Sequence, residues 1–313
     1  MNSKVVVVGV GAVGSATAYA IAIRRLCSEL VLVDVNADKA EGEARDINHA
    51  MPVLGGGTRV YSAGYEACAD ADVIVMTAGV GRKPGETRLD LAAKNAAICK
   101  DITENIMKHY NSGVILIATN PVDVITSLVT KWTGLPKGKV VGSGTTLDNT
   151  RLIHELGKYL DIDVASIHGY ILGEHGDSQF VSWDLSNISG VDVAAYCKAV
   201  GKEFNDEVKA KIAEDTKTGG AQVIKRKGVT NMGIAACLAD VTQSILRNSN
   251  RIHTVCTVLD GLYGVDGVAL SVLSVVGRDG VVQQLDCPLS DEELGKLRHS
   301  AEQIKAVLDG VSK

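Results

Sequence analysis

Apolar residues fall in unbroken runs at Val5 to Val8, Leu30 to Val33, Val73 to Met76 and Val114 to Ile117, with a shorter Val140–Val141 pair after them. A run without polar alternation predicts a strand covered on both faces, as in parallel sheets. The segments between the runs are long enough for helices, and Ala16 to Arg24, Ala92 to His109 and Val122 to Trp132 carry helical spacing. Strands alternating with helices predict βαβ crossovers and a doubly wound parallel sheet. After about residue 145 helical patterns are interleaved with alternating strand-like segments, SIHGYILG (166–173) and VALSVLSVVG (268–277). The expected fold class is α/β, with one domain over residues 1–143 and a mixed α+β domain over residues 144–313. The polar stretch from Gly201 to Gly220 is expected to be the least well packed. Ser290 and Glu293 have capping-box spacing ahead of an amphipathic C-terminal helix that calls for no functional role.

Composition narrows the function more than the fold. With 313 residues, 46% hydrophobic and 22% charged, the chain can bury the cores of two domains. A net charge of -5 argues against a nucleic acid or a membrane surface as partner, and leaves room for a small anionic ligand in a local basic pocket. The seven cysteines include no C-x-x-C pair, so reduced, mostly buried thiols are expected, with neither a disulfide framework nor a metal. The residues before Val5 are too few for a signal peptide, and glycine interrupts the valine run too early for a membrane span; a cytoplasmic protein is expected.

Gly9-Val10-Gly11-Ala12-Val13-Gly14 matches G-x-G-x-x-G, a weak pattern by itself. Its setting strengthens it: a valine strand precedes it, small residues that open a helix follow, and a second strand ends at Asp34. Gly9 permits the tight turn, Gly11 the approach of a pyrophosphate and Gly14 the packing of helix on strand. The phosphates then meet the amides and positive dipole of a helix N-terminus. Asp34 would accept bonds from the adenosine ribose and repel a 2′-phosphate, which favours NAD over NADP. The expected first domain is thus a Rossmann NAD-binding domain.

Four further stretches carry reactive groups: AGVGRKPGETRLDL (78–91), ATNPVDV (118–124), TTLDNTRL (145–152) and LGEHGDS (172–178). Singly each has an ordinary explanation: a basic loop, a strand-ending turn, a helix-surface ion pair, a loop histidine. Together they supply what hydride transfer between nicotinamide and a 2-oxo acid requires, namely a proton donor, a polarising charge, a carboxylate clamp and a site without water. His175 suits the proton step, and Asp148 beside it would hold one tautomer and favour the charged form. Arg151, three residues from Asp148 on the same helix face, offers a planar fork for a carboxylate.

In this combination, GVGAVG, Asp34, RKPGETRLDL, TNPVDV, LDNTR and GEHGDS, the chain resembles the lactate/malate dehydrogenase family over essentially its whole length. The resemblance implies His175 as proton donor and acceptor, Asp148 as its partner, Arg151 as carboxylate clamp, Asn120 as a bond to the substrate oxygen and Arg88 as the polarising charge that arrives when the loop closes. It places Thr230, in KGVTNMG, at a pocket-lining position on a helix of the second domain. It also extends the cofactor site from Gly9, Gly11, Ala12, Val13, Gly14 and Asp34 to Thr77, Ala78, Gly79, Asn95 and Asn120. A homotetramer, or a dimer, is implied as well.

The substrate is a closer matter. Arg82 falls where the family contacts the variable group of the substrate, glutamine being usual in the lactate enzymes and arginine in the malate enzymes. An arginine closed into a dry site without an anion costs several kcal/mol, so Arg82 favours a second carboxylate and malate is the expected substrate. GSGTTLD, TNPVDV, PGETRLDL and Thr230 are lactate-like, and Glu86, four residues from Arg82, could neutralise it. Gly219-Gly220 suggests room for larger side groups. L-lactate dehydrogenase and a broader L-2-hydroxyacid dehydrogenase of the hydroxyisocaproate type therefore stand as alternatives. From other classes, an NAD-dependent glycosidase would need a Cys/His metal set, and a non-catalytic NAD-binding protein would not need the reactive residues to be complete.

Overall fold

The computed structural model describes residues 3–81 and 85–311, so Arg82 lies outside the described residues. Six parallel strands form the centre: β1 (Lys4–Val8), β2 (Glu29–Val33), β3 (Arg59–Ser62), β4 (Val73–Met76), β5 (Val114–Ile117) and β6 (Val140–Gly142). They are linked through α1 (Ala12–Ile23), α2 (Ala37–Leu54), a short 3-10 turn at Tyr65–Asp70, α3 (Arg88–Met107) and α4 (Val122–Thr133). Along the sheet they run β6-β5-β4-β1-β2-β3, the order of a Rossmann sheet. The strand β3 has no counterpart among the apolar runs because it is an edge strand, RVYS, with an exposed Arg59 and only Val60 fully buried.

Unbroken apolar strands follow from a core on each face. Val6, Val8, Val31, Ile74, Met76, Ile115 and Ile117 enter one core, and the alternating Val5, Val7, Leu30, Leu32, Val73, Val75 and Leu116 enter the other. Burial contributes about 1.5–3 kcal/mol for a side chain of this size, so both faces need a helical layer.

The second half supplies part of those layers. After α5 (Thr146–Leu160) come β7 (Ile167–His168), β8 (Ile171–Leu172), β9 (Phe180–Val181), β10 (Asn187–Ile188), β11 (Val191–Asp192), α6 (Val193–Ala199), α7 (Asp206–Lys227) and α8 (Met232–Arg247). The chain ends with β12 (Arg251–His253), β13 (Cys256–Asp260), β14 (Asp266–Ser271), β15 (Ser274–Gly277), β16 (Gly280–Gln284) and α9 (Asp291–Val311). Through β13, paired antiparallel with β6 at Cys256 and Gly142, the parallel sheet gains β13 and β14 at its edge. Leu238, Val241 and Ile245 of α8 fill one sheet core, and Leu297, Ala301 and Ile304 of α9 fill the other. A third core, around Leu152, Leu156, Ile171 and Ile212, belongs to the second half alone.

At two places the structure adds to the local expectation. Most of the stretch from 201 to 220 is helical, within α7, capped by the Asn205 side chain on Val208 N at 3.0 Å and anchored by buried Ile212 and Thr216. Its many charges mark the solvent face of an amphipathic helix. At α9 the Ser290 hydroxyl accepts from Glu293 N at 3.4 Å, but the Glu293 carboxylate accepts from Ser182 at 2.8 Å. The spacing of a capping box is there, and a tertiary bond has taken its second half.

Candidate active site

The glycine turn is tight where it must be and open where a ligand would enter. Gly9 has φ +93°, and a Cβ on it would lie 2.6 Å from the Ala78 backbone; one on Gly14 would lie 1.8 Å from Gly9 O. At Gly11 nothing lies within 4 Å of the same position. Gly11 also caps α1 without a side-chain bond, so amides at the helix start remain for an anion. Asp34 accepts Val10 N at 2.7 Å and Asn36 N at 2.9 Å, which fixes its carboxylate at the end of β2. These residues fit a dinucleotide.

The rest of that wall is held from behind. Thr77 donates to Gly9 O at 2.6 Å and Thr119 to Ala78 O at 2.7 Å, while a Cβ on Gly79 would lie 2.7 Å from Thr119 Cγ2. Ala12 O accepts from the Asn231 amide at 3.4 Å. Asn95 is buried, and its amide accepts Val80 N at 2.9 Å and donates to Val80 O at 3.1 Å and Asn120 O at 2.7 Å. These bonds tie the root of the arginine loop to the turn at Asn120, whose peptide bond to Pro121 is cis.

At the chemical end, one helix presents two of the expected groups. From α5, Asp148 accepts the Arg151 guanidinium at 2.8 Å on one oxygen and His175 Nδ1 at 2.6 Å on the other. The charge on Asp148 outweighs burial and pushes the His175 imidazole up to about 9. Burial alone would raise Asp148, but His175 and Arg151 outweigh it and hold the carboxyl low. The two form a coupled pair whose charged state is favoured on both sides.

His175 also opens onto a cavity of about 440 Å³ lined by Arg88, Asn120, Asp177 and, from α9, His299, Gln303, Ile304 and Val307. Arg88 begins α3 behind a capping box of Thr87 and Asp90, and its guanidinium pairs with Asp177, two residues past His175. Thus Asp148, Arg151 and His175 form one hydrogen-bonded chain, Arg88, Asn120 and His175 share one cavity, and His175 belongs to both.

Several placements differ from expectation. Thr230 lies in the connection between α7 and α8 and not on a helix, and neither it nor Arg151 lines this cavity. Arg151 instead lies under α7, where a Cβ on Gly220 would be 3.0 Å from its Nη2. The C-terminal helix has a part in the site after all, through His299 and Gln303; their spacing on an amphipathic helix gave no local sign of it. Glu86 pairs with Lys94 on α3. The cysteines are all free, six of them buried, and the described residues contain no cluster able to hold a metal and no helix long and apolar enough to cross a membrane.

A parallel sheet with a glycine-turn nucleotide site and a histidine–carboxylate pair at a cavity defines the class of nicotinamide-dependent dehydrogenases. Residues 3–142 match the lactate/malate dehydrogenase NAD binding domain and residues 145–313 the lactate/malate dehydrogenase alpha/beta C-terminal domain. The chain is 42% identical over 306 residues to L-lactate dehydrogenase of Thermoanaerobacter sp. (strain X514), covering 98% of each. It is 44% identical over 306 residues to L-lactate dehydrogenase 2 of Bacillus cereus, covering 98% of this chain and 97% of that one. The crystal structure of minor L-lactate dehydrogenase from Enterococcus mundtii in the ligands-bound form superposes with a TM-score of 0.95 at 38% identity, covering 98% of both chains. The chain belongs to the lactate/malate dehydrogenase family and is an NAD-dependent 2-hydroxy acid dehydrogenase.

Proposed function

We propose that the protein is an NAD-dependent L-lactate dehydrogenase interconverting pyruvate and lactate, with His175 as the proton donor and acceptor. The observation that carries the reaction is the Arg151–Asp148–His175 chain, in which the imidazole both contacts a buried carboxylate and faces the cavity. The choice of lactate over the malate expected from Arg82 is supported by full-length relatives bearing that name.

NADH, when bound, supplies the hydride that reduces the carbonyl carbon. Gly9, Gly11, Ala12, Val13 and Gly14 would hold its pyrophosphate and Asp34 its adenosine ribose, with Thr77, Ala78, Gly79, Asn95 and Asn120 forming the adjoining wall. His175 gives its proton to the carbonyl oxygen as that oxygen becomes an alkoxide, and Asp148 stabilises the imidazolium beforehand. Asn120 bonds the reacting oxygen from the cavity wall, while Arg151 would fix the substrate carboxylate and Thr230 would border the bound substrate from outside that lining. Arg88, now on Asp177, swings to polarise the carbonyl, exchanging one anionic partner for another and so avoiding an unpaired charge as water leaves. A cytoplasmic homotetramer goes with this family pattern.

Malate dehydrogenase is the second reading, carried by Arg82. Rates of NADH oxidation with pyruvate, oxaloacetate and 2-oxoisocaproate decide between them: lactate dehydrogenase requires pyruvate to be the preferred substrate, and a preference for oxaloacetate replaces it with malate dehydrogenase. In the same assay Arg82→Gln should raise the pyruvate-to-oxaloacetate ratio, whereas Arg88→Gln should slow every substrate.

A further inference from the structure

The proton-transfer scheme leaves unused a buried carboxylate that touches the histidine segment. Asp123, in the first turn of α4, is 2% exposed. Its Oδ2 accepts the backbone N–H of His175 at 2.8 Å. Its Oδ1 is buried without a hydrogen bond of normal geometry. The neighbouring Cys256 thiol on β13, with Sγ 3.6 Å from Thr126 Oγ1, is the weak donor at hand. Leaving a buried acceptor unmet costs about 1–3 kcal/mol, more if it is charged, so its presence needs an explanation. Burial pushes Asp123 up to about 6, against the His175 amide and imidazole, which favour its charged form.

We propose that Asp123 is a positioning residue for the reaction: it anchors the His175 backbone and places a second negative charge beside the imidazolium, while Asp148 holds the ring. The proposal rests on the reading of His175 as proton donor and acceptor. The two carboxylates reach His175 from different helices, Asp148 from α5 and Asp123 from α4, so the histidine segment is pinned across the boundary between the two halves of the chain. The other charged or titratable groups facing this cluster are Arg151 on α5, Glu174 and Asp177 in the histidine segment, Cys256 on β13, and Arg88 and His299 across the cavity. Of these, Arg151 opposes the imidazolium, and Asp123 supports it less strongly than Asp148 does.

Reduction of the 2-oxo acid needs His175 protonated and is lost as pH rises through its pKa; oxidation of the 2-hydroxy acid needs it neutral and is gained there. Both kcat/KM profiles therefore turn at one group, and losing the Asp123 charge should move both midpoints downward together. The test is Asp123→Asn, which keeps the side-chain shape and an oxygen for the His175 amide. The expected result is a fall of both midpoints by about 0.5–1 pH unit, with NADH affinity unchanged. If the Asn variant does not bind NADH, Asp123→Ser, which leaves space for a water, carries the same expectation. Rates scaled down with unmoved midpoints in a folded variant would show a merely structural role and overturn the proposal. His175→Asn, measured alongside, separates the two readings: retained activity defeats the proton-donor role, whereas an inactive His175→Asn with unmoved Asp123→Asn midpoints defeats the Asp123 role alone.

Discussion

The two ends of the cleft are built from different materials. At the nucleotide end the working parts are main chain: a left-handed Gly9, an open Gly11, and amides at the start of α1. At the chemical end they are charged side chains, Asp148 and Arg151 from α5, His175 from the segment after β8 and Arg88 from α3, held by ion pairs among themselves and with Asp177. The first end is organised by the absence of atoms and the second by compensation of charge. Damage should differ accordingly: steric at the glycines, where the chain itself is displaced, and electrostatic at the histidine, where the fold survives and the reaction does not.

Four substitutions probe that contrast. The largest effect is expected for His175→Asn, which should lower kcat at least about a thousandfold with little change in NADH affinity or thermal midpoint; a parallel loss of NADH binding would mean that the two ends are not separable. Next is Gly14→Ala, whose new Cβ would sit 1.8 Å from Gly9 O. It should cost about 3 kcal/mol or more in a denaturant titration and weaken NADH binding, and a variant of unchanged stability would contradict the close helix–strand packing. Arg151→Lys should reduce kcat/KM for the 2-oxo acid about ten- to a hundredfold, the worth of one charged hydrogen bond, mainly through KM. Equal values in the two proteins would deny Arg151 its clamp role. The smallest effect is expected at Asp34→Ser, where the NAD-over-NADP preference should relax about tenfold, as read by steady-state kinetics with each cofactor.

Legibility in the sequence divides along the same line. The glycine turn, its strand and Asp34 lie within one continuous segment whose geometry is local, so the nucleotide end could be read directly. The Asp148–Arg151 pair was equally accessible, being one helical turn apart. Other features depended on contacts across the chain. β3 escaped the pattern because an edge strand need not be apolar on both faces, and α7 because its charged face outnumbers its buried one. Glu293 left its capping position for Ser182, and α9 brought His299 and Gln303 to the cavity, contacts between residues more than a hundred positions apart. Asp123 read only as part of TNPVDV until the fold placed its carboxylate on the His175 amide.

From sequence alone came the alternation of buried strands and helices, the nucleotide turn, the reactive residue types and the family they resemble. These rest on periodicity and short-range spacing, which the backbone imposes within a few residues. Tertiary structure alone decided that His175 stands between two buried carboxylates, that Arg88 is held by Asp177, and that β13, β14, α8 and α9 complete the first half. The physical reason is that the ionisation of a buried group and the course of an unpaired edge depend on what the rest of the chain brings beside them.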